Sequence, residues 1–313
     1  VKDVVSHRLF PAILTVLLGT LIAVQSRVNG QLAVHVGTGL MPAWWTMTTG
    51  LAILGIVGVA HAPSRTSASK ILPALREGSL PRWAVLGGIA GAVFLITQSV
   101  VVPLVGVAVF SVGTVAGQTS GSLLVDRLGI SASGVVHITA NRVVASVLAV
   151  VAVAVAISDR LTTASGTIAF ALFAFLAGAL VAPQQAANGR VAVRAGSPYS
   201  GALVNFIGGT VLLSLAMLIA LGPLGLSIND PWGAPWWAYV GGFLGLSVIA
   251  GAAWVVPVLG VLVFSLLSVM GQLTGALILD LVVPTPGTTV GWHLFAGVGL
   301  TFLAVLIASR GRR

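Results

Sequence analysis

The chain has 313 residues, of which 57% are hydrophobic and only 7% are charged, with a mean hydropathy of +1.09. A soluble domain carries roughly 25% charged residues, so this sequence cannot build a water-facing surface, and its class is a polytopic membrane protein. The net charge of +9 would point to nucleic acid in a soluble protein; here the Lys and Arg residues sit in loops and orient the chain, and no nucleic-acid partner is expected.

The apolar runs are continuous and about 20 residues long, as spanning helices need, without the alternation of barrel strands. The first half is predicted to span at 9–30, 41–61, 83–102, 104–125 and 135–157, and the second at 167–190, 200–221, 236–255, 257–279 and 290–309. The first run, from Leu9 to Val24, reads as a retained helix rather than a cleaved signal. Because the chain opens on Val1 and not on Met, a few residues are expected to precede it. One long polar connection, PSRTSASKILPALREGSLPR at 63–82, follows the second span, and ISDRLTTASG at 157–166 joins the halves.

The halves repeat one another. Residues 23–37, AVQSRVNGQLAVHVG, and 182–196, APQQAANGRVAVRAG, share the frame A-x-Q-x-x-x-N-G-x-x-A-V-x-x-G at an offset of 159. Residues 81–126 align on 235–280 at an offset of 154, without a gap and with 20 identities in 46 positions. Trp83, Pro103, Gln118 and Asp126 meet Trp237, Pro257, Gln272 and Asp280. Membrane composition alone cannot place Trp, Pro, Gln and Asp in register, so the chain is read as a duplication, with a first five-helix repeat at 1–160 and a second at 161–313.

Five spans per half is an odd number, so the second half is expected to enter the membrane from the opposite side. With a cytoplasmic N-terminus, 12 of the 15 Lys and Arg residues fall inside, which predicts both termini in the cytoplasm. The fold class expected is therefore all-α integral membrane, ten transmembrane helices as two inverted-topology repeats. That architecture recurs in secondary transporters, with the substrate near mid-membrane between the halves.

Gln25 and Asn29 are four residues apart and share a helix face, as do Gln184 and Asn188. An amide facing lipid is costly, so all four should face protein or a watery cavity. Two such pairs could hold a polar solute, since an amide both donates and accepts; the alternative is interhelical hydrogen-bond glue. Gly30 and Gly189 could end the regular helix there, and Pro183 could kink it. Gln118 and Gln272 are further candidates, flanked by the close-packing spacings Gly113, Gly117, Gly121 and Gly271, Gly275. Trp44 and Trp254 are aromatic candidates for a cavity wall, while Trp45, Trp83, Trp232, Trp236 and Trp237 suit an interfacial belt.

Asp126 and Asp280 match each other at span ends. They read as interfacial anchors or local salt bridges, Asp126 with Arg127 for example, with a gating role as the alternative. His137 and His293 fall near span starts and are expected at the interface. The chain has no cysteine, hence no disulfide, thiol catalysis or thiolate metal site. No Walker loop, nucleophile elbow, metal-ligand cluster or Rossmann fingerprint is present. No enzymatic activity, metal or cofactor is expected.

The frame A-x-Q-x-x-x-N-G, the Gly196-Ser197-Pro198 that follows and the five-span repeat resemble the bacterial YdcZ-type inner-membrane proteins of the drug/metabolite transporter superfamily, here in a fused ten-span form. The resemblance covers nearly the whole chain. It implies an antiparallel two-domain exporter in the bacterial inner membrane. The first half departs from the second in having Thr38-Gly39 where Ser197-Pro198 stands. The related small multidrug resistance proteins use a glutamate in their first helix, a region that here offers Gln25 and Gln184. The function expected is secondary transport of a small organic solute by alternating access. The alternatives are a channel, a lipid-translocating protein or a non-transporting scaffold. The partners expected are a small-molecule substrate and membrane lipids, with a monomer sufficient because both halves are fused.

Overall fold

The computed structural model describes residues 2–130, 134–135, 138–158, 166–259, 261–285 and 290–310. All regular structure among them is helical. The first half contains α1 (Lys2–Val36), α2 (Leu40–Ala60), the short α3 (Ala62–Ser69) and α4 (Ile71–Arg76), α5 (Gly87–Val105), α6 (Val107–Arg127) and α7 (Ala140–Ala156). The second contains α8 (Thr167–Ala195), α9 (Pro198–Leu221), α10 (Gly241–Leu259), α11 (Val261–Val282) and α12 (Trp292–Arg310). Each predicted span has a helix. Seven of them, α1, α2, α5 with the 3-10 turn before it, α6, α8, α9 and α11, are long and apolar enough to cross a membrane. The apolar stretches of α7, α10 and α12, at Ala140–Ala156, Gly241–Ala252 and Trp292–Ile307, are shorter.

The helices carrying the repeated frame do not end or turn at Asn-Gly, as the sequence allowed. Both run on by two turns and stop at the last glycine of the frame, Gly37 and Gly196, each with φ +78°. Their N–H groups turn back to the Ala33 and Ala192 carbonyls. This is the left-handed C-terminal cap that glycine adopts without a Cβ penalty. Helix α8 also continues through Pro183.

The polar connection 63–82 is more than a loop. It folds into α3 and α4, and Ala74, Leu80 and Ala84 pack against Val191 and Val204. Ser200 donates to Ser67 Oγ at 2.9 Å in the same interface.

The halves interlock. Helix α8 packs along α5 and α6 of the first half, and α1 packs along α10 and α11 of the second. The approach is backbone to backbone. A methyl group on Gly117 would run into the Phe175 carbonyl, one on Gly121 into Ala179, and one on Gly178 into the Thr114 carbonyl. In the other interface Gly271 meets the Val16 carbonyl, Gly275 meets Thr20, and Gly19 meets the Ser268 carbonyl. The offsets of 154 and 159 carry the first set of contacts onto the second, residue for residue. From Gly117–Phe175 to Gly121–Ala179, and from Gly271–Val16 to Gly275–Thr20, the residue numbers rise together, so α6 runs parallel to α8 and α11 runs parallel to α1. Small residues are what permit such approaches between helices in lipid.

Asp280 is buried and accepts from the N–H groups of Val107 at 3.1 Å and Ala108 at 2.8 Å. A carboxylate on α11 thus caps the start of α6, where unpaired N–H groups and the helix dipole favour an anion. Gly106 makes room for it, since a Cβ there would stand 2.7 Å from Asp280 Oδ2. Asp126 is paired across to Arg142 of α7, not to the neighbouring Arg127 suggested by the sequence. Two arginines close the carbonyl ends of the matching helices. Arg27 donates to Thr285 Oγ1 at 2.6 Å and to the Val283 carbonyl at 2.9 Å, and Arg190 donates to the Ile130 carbonyl at 2.5 Å and the Gly129 carbonyl at 2.9 Å. Trp45, Trp232 and Tyr239 form one aromatic cluster, and Arg190 lies over the Trp83 ring at 5.4 Å. His293 sits beside Trp292, and His137 lies outside the described residues.

If glycine sets the interlock, Gly117→Val and Gly271→Val should each cost about 1–3 kcal/mol through overpacking. Both should lower the melting temperature in detergent, whereas Gly189→Ala, with open space around it, should not; thermal unfolding of the three variants checks this.

Candidate functional site

The site is built where α1 and α8 carry their amides. Helical spacing sets Gln25, Ser26 and Asn29 on adjoining parts of one α1 surface, all buried. Gln25 Nε2 donates to the Gly241 carbonyl of α10 at 2.8 Å. Asn29 Nδ2 donates to Gln98 Oε1 of α5 at 3.0 Å, and Gln98 Nε2 donates to Ser26 Oγ at 2.5 Å. Thr46 of α2 donates to Asn29 Oδ1 at 3.0 Å. Four helices meet in this network, and both polar ends of Asn29 are engaged.

The second-half amides are arranged differently. Gln184 Nε2 donates to Asn205 Oδ1 of α9 at 3.0 Å. Asn188 Oδ1 is buried and has no hydrogen-bond partner. The repeat shows the difference. The hydroxyl that donates to Asn29 Oδ1 belongs to Thr46, and Asn205, at the place of Thr46, makes no such bond to Asn188 Oδ1; Ala252, at the place of Gln98, removes in addition the acceptor that Asn29 Nδ2 uses. A buried unpaired acceptor costs about 1–3 kcal/mol, and such groups in a folded protein call for an explanation such as a ligand.

The glycine positions shared by the repeats are seats for these amides. A Cβ at Gly245 would stand 2.8 Å from Gln25 Nε2, and one at Gly91 would stand 2.8 Å from Gln184 Nε2. A Cβ at Gly87 would stand 2.8 Å from Asn188 Oδ1. Helix α5 therefore touches both groups, through Gly87 and Gly91 on one side and Gln98 on the other. Gly91 and Gln98 are about 10 Å apart along the helix at 1.5 Å per residue.

Of the residues singled out in the sequence, the structure places Gln25 and Asn29 in one polar cluster, and Gln184 and Asn188 beside Asn205. Gln118 is half-buried on α6 and Gln272 is buried on α11. Among the described residues neither shares a hydrogen bond with the four amides. Trp44 donates from its indole nitrogen to Ser214 Oγ at 3.0 Å, close to Thr46 in sequence. Trp254 is 54% exposed and packs edge-on to Phe10; it lies nine residues beyond Gly245, about 13 Å along α10, and is not brought to the amides. Gln98, Ser26, Thr46 and Asn205 were missed. The signal for two of them was available, because Thr46 and Asn205 are polar at the same place in both repeats. Among the described residues no three of His, Asp and Glu come together as a metal site would need.

Removing the partners separates the two groups. Asn29→Ala strands Gln98 and Thr46 in the core and should lower stability by about 1–3 kcal/mol. Asn188→Ala removes a carbonyl oxygen that has no partner and should cost less; paired thermal melts in detergent check the ordering.

A family model described as "Putative inner membrane exporter, YdcZ" matches residues 10–155 and 169–307, which is nearly the whole chain. No curated protein matches it.

Proposed function

The chain belongs to this family of inner-membrane exporters, and from that premise we propose that it carries a small organic solute out across the bacterial inner membrane by alternating access, without changing the solute chemically. In this reading all ten long helices cross the membrane, the halves are inverted, and both termini are cytoplasmic. The excess of Lys and Arg in the loops on that side supports the orientation. The equivalence of the α6–α8 and α11–α1 contacts supports a two-fold relation between the halves. Because one chain supplies both halves, a monomer is sufficient.

The observation that carries the binding site is the unpaired Asn188 Oδ1. It lies beside Gln184 and Asn205, and a solute with an N–H or O–H group would complete it. The first-half amides act in this account as the fixed frame, because their partners are already supplied. Gln118, Gln272 and Trp44 are further candidates along the path. A scaffold without transport is the second reading, favoured by the complete satisfaction of Asn29.

A thermal-shift screen of the purified protein against metabolites, quaternary amines, organic acids and lipids tests this. A ligand at 100 times its dissociation constant stabilises by about 2.7 kcal/mol. The expected result is a ligand that stabilises the wild type but not Gln184→Ala/Asn188→Ala, which still folds. A ligand that stabilises this variant equally would remove the site, and an early-melting variant with no ligand response would favour the scaffold.

A further inference from the structure

A cavity of 390 Å³ lies between α2, α9 and α10, bringing together one helix of the first half and two of the second. Leu54, Val57, Ala202, Leu246, Ile249 and Ala250 form much of its wall, and none of its lining residues is charged. Its hydroxyl groups are already engaged with the protein. Tyr199 donates to the Leu54 carbonyl at 3.0 Å, Ser247 to the Phe243 carbonyl at 2.8 Å, Ser64 Oγ lies 2.9 Å from His61 Nδ1, and Ser197 Oγ accepts from the Tyr199 N–H at 3.3 Å. The wall is therefore predominantly apolar. Val57 and Phe243 are exposed at its edge, on the face that lipid would touch.

The repeat shows how the groove arises. Its counterpart seam, between α2 and α5, is closed: a Cβ at Gly39 would stand 2.5 Å from a methyl of Val100 and 3.4 Å from the Ile96 carbonyl. Pro198 occupies the equivalent place in α9, and Trp254, which packs on Phe10, the place of Val100. A ring replaces a hydrogen on one side, and the counterpart of the side chain that closes the first seam is not in the groove wall, so the second-half seam lacks the close fit of the first.

The inner end of the groove approaches the polar site. Ala202 in the wall is three residues, about 4.5 Å, from Asn205 along α9. Leu246 joins Phe206 and Met47 in one core cluster. A Cβ at Gly91 would meet the Met47 methyl at 3.0 Å and Gln184 Nε2 at 2.8 Å. Met47 thus packs in the cluster of the groove wall and also lies beside the seat of Gln184, and methionine repacks readily.

We infer that the substrate is an amphiphile, whose apolar body lies in the groove between α2, α9 and α10 and whose hydrogen-bonding end meets Gln184, Asn188 and Asn205. The inference rests on the exporter reading and adds the substrate class and its way in from the lipid. A purely polar solute would leave the groove wall wet against apolar side chains, and a lipid tail alone would leave Asn188 unpaired.

Because the chain has no cysteine, Ser247→Cys can carry a single bimane label in the groove. The probe is a dodecyl amphiphile with a brominated chain and a neutral amide head, added to the labelled protein in nanodiscs. Saturable quenching is expected, with the apparent dissociation constant raised at least tenfold by Ala202→Leu/Ala250→Leu and weakened by Gln184→Ala/Asn188→Ala. Quenching that rises linearly and is unchanged in the filled variant would mean that bulk lipid alone meets the groove, and would overturn the inference. Uptake of the thermal-shift ligand by proteoliposomes of the filled variant separates the two claims: undiminished transport there removes the groove and leaves the exporter reading intact.

Discussion

Helices α1 and α8 lie so close to α11 and α6 that carbonyl oxygens occupy the space where side chains would stand. Lipid offers no hydrophobic drive to push helices together, so contact must come from packing and polar bonds. Glycine at Gly117, Gly121, Gly178 and their counterparts Gly271, Gly275 and Gly19 makes the packing possible. The partner helix belongs in each case to the other half, so neither half can close its own core alone. The buried capping of α6 by Asp280 crosses the same boundary. A carboxylate held by two N–H groups in a low-dielectric interior loses much if either partner moves, which fixes the start of α6 against the end of α11.

Within this frame the two halves use equivalent positions unequally. Asn29 and Asn188 occupy one place in the repeat, but Gln98 and Thr46 serve the first, while the carbonyl oxygen of the second lies against Gly87 and has no partner. Gly39 and Pro198 likewise occupy one place, and the seam is shut at Gly39 and parted at Pro198. Duplication supplies two similar frameworks, and a few substitutions leave the amide of one half paired and the carbonyl oxygen of the other without a partner. Both differences involve α9, through Asn205 at one and Pro198 at the other, and the proposed substrate path runs along that helix.

Much of this was legible in the sequence because lipid imposes simple rules. Continuous apolar runs gave the ten helices, and Trp, Pro, Gln and Asp in register gave the duplication. The helix ends were misread at Asn29-Gly30 and Asn188-Gly189, since glycine in a helix costs only about 1 kcal/mol and tertiary contacts with α5 and α10 outweigh it. The folding of 63–82 was hidden because its polar residues mask a small apolar set, Ala74 and Leu80, that has meaning only against Val191 and Val204. The partners of Asp126, Arg27 and Arg190 are set by the arrangement of helices distant in sequence, which periodicity does not encode. The candidate amides were legible as types; which of them had a free acceptor was not, because that depends on Thr46, the donor to Asn29 Oδ1, having become Asn205 in the repeat.

The central claim is that the two halves face opposite ways in the membrane, since the shared site and the unequal seams both depend on it. The direct measurement is labelling of single cysteines in the cysteine-free chain, with a membrane-impermeant maleimide applied to cells with a permeable outer barrier and an intact inner membrane. Ser69→Cys, in α3 of the first half, and Leu224→Cys, in the matching connection of the second, occupy comparable places. Leu224→Cys should be labelled with the inner membrane intact, and Ser69→Cys only after that membrane is opened. Labelling of both from the same side would show that the repeats share one orientation, and would contradict the account.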